Sequence, residues 1–100
     1  MDIKNRIVDE LIDLELPLNG IAFEYWIEIL LKEYNNDFKS INMMERYEYL
    51  AKKYWCSISS VERALLRGIK LMEKRIRAKY KIKTKITNET LIILFKLKVF

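Results

Sequence analysis

Ser59, Ser60, Glu62, Arg63, Leu66, Arg67 and Lys70 lie within one stretch of twelve residues, at spacings that turn them to the outer side of a helix. Such a set can read base-pair edges. Arginine donates two hydrogen bonds to guanine O6 and N7, glutamate accepts from cytosine N4, and leucine meets a thymine methyl. Around this set stand Lys52, Lys53, Lys70, Lys74, Arg75 and Arg77, with the hydroxyl of Ser57, all suited to phosphate oxygens. An ordinary amphipathic helix turns the same mixture toward water, so the pattern leaves both DNA reading and a solvated face open.

The chain holds little for other chemistry. It has no histidine, the commonest general base and metal ligand. Its single cysteine, Cys56, excludes an intrachain disulfide and a cysteine-based zinc site. No Gly-rich phosphate loop is present among the two glycines. Asp9, Glu10, Asp13 and Glu15 read as the solvated face of a first helix rather than as metal ligands, since no organising neighbours accompany them. No enzymatic activity, metal or cofactor is expected.

Presenting a reading helix requires a partner helix and a tight turn. Residues 47–70 have that form. Leu50, Ala51 and Tyr54 supply the inner face of the first helix, with Cys56 facing inward from the turn. Val61, Ala64, Leu65, Gly68, Ile69 and Met72 give the second helix its buried stripe. Ser59 followed by Glu62 has capping-box spacing, and Ser57 is a competing cap. A helix-turn-helix is therefore expected here, its first helix running from about Ile41 to Tyr54.

The remaining elements follow in order. A helix is expected over residues 3–15, with Ile3, Ile7, Leu11, Ile12 and Leu14 at helical spacing. Pro17 and Asn19-Gly20 break it. A second helix over 21–34 places Ile21, Tyr25, Ile29 and Leu30 inward, and its broad aromatic surface suggests burial on several sides or a subunit contact. Asn35-Asn36-Asp37 is a turn. Lysine at every second position from Lys79 to Lys85 predicts an extended arm or edge strand over 79–86. That arm would either follow a phosphate backbone or be a solvated edge whose lysines discourage aggregation. Thr87-Asn88-Glu89 resembles a helix start, so residues 88–98 form a helix or, by the alternation near the end, a strand.

One hundred residues, half of them apolar and only three Gly or Pro, predict a single compact, helix-rich domain over residues 1–100. The net charge of +5 conceals an asymmetry. Residues 1–50 hold five Lys/Arg against eleven Asp/Glu, a net of −6; residues 51–100 hold fourteen against three, a net of +11. This predicts a polyanion-binding face opposite an acidic one, or two halves that neutralise each other. The start lacks an apolar signal core, and the longest apolar run, Leu91–Phe95, is too short to cross a bilayer. A cytoplasmic protein without membrane contact is expected.

From Leu16-Pro17 through Tyr25, Tyr34-Asn35, Tyr47 and Ala51-Lys52-Lys53-Tyr54, the chain resembles the C-terminal DNA-binding effector domain of the master sporulation response regulator of endospore-forming Firmicutes. Ser59-Ser60-Val61-Glu62-Arg63-Ala64-Leu65 carries most of that likeness, resembling the family's Ser-x-Val-Glu-Arg-Ala-Ile signature, and Thr87–Ile92 resembles the opening of its last helix. The resemblance spans most of residues 10–98. It implies an all-α, compact helical bundle acting as a transcription factor paired on tandem boxes of double-stranded DNA, and it favours a helix at 88–98. A homodimer on those sites and a contact with RNA polymerase are the further partners expected.

Three departures qualify the expectation. Ser60 and Leu66 stand where the family has arginines, so Glu62 and Arg63 carry over as base readers and Arg67 is displaced by one position. Two missing arginine contacts would cost several kcal/mol, at roughly 1–3 kcal/mol each. Trp55 replaces a smaller polar turn residue that accepts a positive φ more easily. With no receiver domain expected ahead of residue 1, control by phosphorylation of an attached aspartate is not expected. A stand-alone transcriptional regulator follows from this reading. A protein-interaction module that kept the fold but lost specific DNA reading is the alternative.

Overall fold

Asp2 opens the first helix, α1 (Ile3–Asp13): its carboxylate accepts from the Asn5 N–H at 2.9 Å, satisfying an amide the helix itself leaves free. The computed structural model describes residues 2–40 and 42–100, and four more helices follow: α2 (Ile21–Tyr34), α3 (Met43–Tyr54), α4 (Ile58–Tyr80) and α5 (Asn88–Lys98). Among the described residues there is no strand, and no helix is long and apolar enough to cross a membrane. The chain is an all-α bundle.

Four of these helices end on the same device without using glycine. Glu15, Asn36, Trp55 and Lys81 follow α1 to α4 with φ between 56° and 70°. The left-handed residue turns the chain so that later amides reach back, with Leu16 N–H to Leu11 O, Asp37 N–H to Lys32 O and Cys56 N–H to Ala51 O, each at 3.0 Å. Glu15 thereby ends α1 at Asp13, two residues before the expected boundary, and drops Leu14 and Leu16 into the core. Asn42 caps α3 by accepting from Met44 N–H at 2.8 Å, so that helix begins at Met43; the expected start, Ile41, lies outside the described residues.

A single core draws on all five helices, and α4 packs on α2, α3 and α5. Trp26, fully buried, anchors α2 against α4 by donating its indole N–H to Leu65 O at 3.2 Å. Gly68 makes that approach possible. A Cβ there would stand 3.0 Å from Trp26 Nε1 and 3.2 Å from Ala22 Cβ, closer than ordinary packing allows. The expected stripe of α4, from Val61 to Met72, is buried throughout and continues to Ile76. Two residues placed inward by spacing are not: Ile21 is 42 % exposed and Ile12 45 %. Ile21 is the first residue of α2, where no preceding turn covers it.

The arm expected over 79–86 is not formed. Lys79 and Tyr80 complete α4, held there by α1: Lys79 Nζ lies 2.9 Å from Glu10 Oε1 and 2.5 Å from Asp13 Oδ2, and the Tyr80 hydroxyl donates to Glu10. Residues 82–86 then run back along the bundle, with Arg77 Nη1 donating to Ile82 O (3.1 Å) and Thr84 O (3.0 Å) and Ile86 buried. No neighbouring strand exists among the described residues to pair with them, so alternation yields a strapped loop. Thr87 and Thr90 form a reciprocal capping box at the start of α5, and helix wins over strand at 88–98.

Candidate nucleic-acid interface

The turn between α3 and α4 comprises Trp55, Cys56 and Ser57. Ser57 adopts extended backbone (φ −80°, ψ 156°) and its hydroxyl accepts from Ser60 N–H at 3.1 Å, so Ser57 is the cap of α4. The expected capping box of Ser59 with Glu62 is not formed. Both residues lie inside the helix, exposed, because the left-handed turn at Trp55 brings the helix start two residues forward. Ser60 is half-buried, and its hydroxyl sits 2.8 Å from that of Ser57.

On α4, Arg63, Arg67, Lys70 and Lys74 are all exposed. Steps of four, three and four residues stack them on one face, opposite the buried stripe. At 1.5 Å per residue the row extends about 16 Å. Among the described residues none of the four belongs to an ion pair. Arg63 Nε donates to Ser59 O at 3.3 Å, leaving the rest of its guanidinium for other acceptors. Leu66 is half-buried beside the row and Glu62 is exposed on its flank. A shallow groove runs along its other side, lined by Ile21 and Tyr25 of α2 with Ser60, Arg63, Ala64 and Arg67 of α4.

Three of the other basic candidates are engaged within the fold. Lys53 Nζ lies 2.7 Å from Glu28 Oε2, which also accepts from the Tyr49 hydroxyl. Arg75 pairs with Asp13 (3.5 Å) and donates to its backbone carbonyl. Arg77 pairs with Glu73 (2.8 Å) besides holding the 82–86 loop. Lys52 is exposed and outside any ion pair among the described residues. The expected phosphate set therefore divides: Lys52, Lys70 and Lys74 face solvent unpaired, while Lys53, Arg75 and Arg77 already have acidic partners.

Electrostatics explain the division. The acidic face of α1 lies against the last turns of α4, where hydrogen bonding from Lys79 holds Asp13 below the usual carboxylate range and Asp13 in turn raises Lys79. Burial and the bond to Glu10 push Tyr80 up to about 12, so it remains a neutral donor. Burial and the neighbouring Cys56 thiol, 3.6 Å from its hydroxyl, likewise raise Tyr25 to about 12. The two halves of the chain thus neutralise each other at one end of α4 and leave the middle of that helix cationic.

Spacing gave no sign of a second polar cluster. Glu33, Arg46 and Lys96 join α2, α3 and α5, with Arg46 Nε and Nη2 each donating to Glu33 at 2.8 Å and Lys96 Nζ 2.9 Å from the same carboxylate. Arg46 also donates to Ser40 O and Asn42 O. Burial favours the neutral acid at Glu33, but Arg46 and Lys96 outweigh it and hold the carboxyl below its ordinary value. The cluster's donors and acceptors are used on one another.

Neither known protein families, curated proteins nor solved structures provide a match to this chain.

Proposed function

We propose that this chain binds double-stranded DNA in a sequence-selective way, as a transcriptional regulator, with α4 entering the major groove. The unpaired row of Arg63, Arg67, Lys70 and Lys74 along one exposed face of α4 carries this reading. A cationic exposed face suits a polyanion, and the major groove admits a helix of this diameter. In the proposal Arg63 and Glu62 read bases from the first turns, and Lys70 and Lys74 meet phosphates. Ser59, Leu66 and Arg67 complete the readout without Ser60, whose half-buried hydroxyl is engaged with the Ser57 cap. Lys52 reaches the backbone from α3. The resemblance of Ser59–Leu65 to the sporulation regulators supports the same assignment, as does the burial of every apolar position expected on the α4 stripe. Pairing on tandem sites and contact with RNA polymerase belong to the same proposal.

A second reading, the protein-interaction module, draws on α5. Ile93 and Leu97 stand one turn apart on its outer face, 47 % and 72 % exposed. Selection from random duplexes separates the two. Enrichment of a motif is expected for the regulator; absence of any duplex affinity at low salt, with capture of a protein partner, would favour the module.

A further inference from the structure

Trp55 is 95 % exposed, whereas the other tryptophan, Trp26, is fully buried. It also holds φ 56°, ψ 49°, a conformation that side chains resist because Cβ crowds the following carbonyl. Glycine or asparagine would make the same turn with less strain. Three other helices make the same turn with Glu15, Asn36 and Lys81, so the fold neither requires an indole at this position nor shelters it, and the exposed ring is what the turn leaves without a use.

Its surroundings define what that use is. Trp55 borders a shallow groove with Ala51, Lys52, Cys56 and Ser57. Lys52 is exposed and unpaired among the described residues, and Ser57 is the cap of α4. An apolar plane beside a free cation matches a nucleotide, the ring packing on sugar or base and the ammonium meeting phosphate. The Ser57 hydroxyl in this groove lies 2.8 Å from that of Ser60, which lines the groove beside Arg63 and Arg67, so a polyanion held along the α4 row passes next to Lys52.

We propose that Trp55 and Lys52 form a second contact with the same nucleic acid, the indole packing against the sugar and base edge of the strand that flanks the groove holding α4. This rests on the reading of α4 as the reading helix. The contact is independent of sequence, so a mixed-sequence duplex is the proper probe.

The test compares the parent with Trp55→Gly and Trp55→Phe at low salt. Trp55→Gly relieves the left-handed backbone, so its thermal midpoint should equal or exceed that of the parent. Its affinity for the duplex should nonetheless fall roughly five-fold or more, while Trp55→Phe retains most of it. Trp26 is inaccessible to acrylamide, so quenching reports Trp55 alone and should weaken when the parent binds duplex. Unchanged affinity in Trp55→Gly, or an indole that stays fully quenchable in the complex, overturns the contact while leaving the role of α4 intact. A parent with no duplex affinity overturns both, and protection of the indole by a protein in place of DNA assigns the surface to that partner.

Discussion

Arg63 and Lys74 share one exposed row but have different expected roles. Arg63 lies in the second turn of α4 with a planar fork able to engage a base; Lys74, three turns on, presents a point charge. Arg63→Ala should weaken binding to a selected duplex by about 1–3 kcal/mol and flatten its sequence preference. Lys74→Ala should weaken all duplexes alike and reduce the dependence of log affinity on log salt by about one unit. Titrations of matched and scrambled duplexes across a salt series check both; equal affinity of Arg63→Ala and parent for the selected site would remove Arg63 from the readout. Gly68 raises a question of stability. Alanine there adds roughly 1 kcal/mol of helix propensity, yet its methyl would press on Ala22 and on Trp26, which is fully buried and held by its bond to Leu65 O. The crowding should win, destabilising the fold by about 1–3 kcal/mol in denaturant unfolding.

At the scale of the element, α4 is 23 residues long because it is fixed at both ends. Ser57 holds the first turn, and Lys79 and Tyr80 tie the last to α1. Ser57→Ala should cost about 1 kcal/mol, whereas Ser59→Ala should be close to neutral. Thermal unfolding of the pair distinguishes them, and an equal loss in both would return the cap to Ser59. The fixed C-terminal end also explains why alternating lysines beyond it form no strand. Period two specifies a strand only where another strand can pair with it, and here a helix and its acidic neighbour take up the first two positions.

The whole molecule is closed by Glu33, Arg46 and Lys96, which join three helices through one buried carboxylate. Arg46→Met removes both hydrogen bonds that Arg46 gives the buried carboxylate and leaves it only the partly exposed Lys96, so the fold should be destabilised by roughly 1–3 kcal/mol. Acid should act through the same group. Glu33 titrates below its ordinary value of 4.5 in the folded state, so its contribution is complete above that pH and is lost as pH falls through the lower folded value. Unfolding free energy should therefore decline below about pH 4.5, and the decline should be shallower in Glu33→Gln, as measured by denaturant titration at successive pH values.

The amino-acid sequence determined the helical class, the bounds of α2 and the apolar stripe of α4, because these follow from local propensity, caps and a 3.6-residue period, whereas at residues 88–98 its pattern left helix and strand both open. It also placed Arg63, Arg67 and Lys70 on one face, since helical spacing alone fixes that geometry; the length of α4 adds Lys74 to them. Tertiary structure decided which cations stay free. Lys53, Arg75, Lys79 and Lys96 are matched by Glu28, Asp13, Glu10 and Glu33, residues 25 to 69 positions away in the chain, and no local pattern encodes such pairings. It likewise decided that Arg46 is buried, that Ile21 is not, and that the indole of Trp55 stands in water. Burial depends on which helices meet, whereas spacing records only which side of its own helix a residue takes.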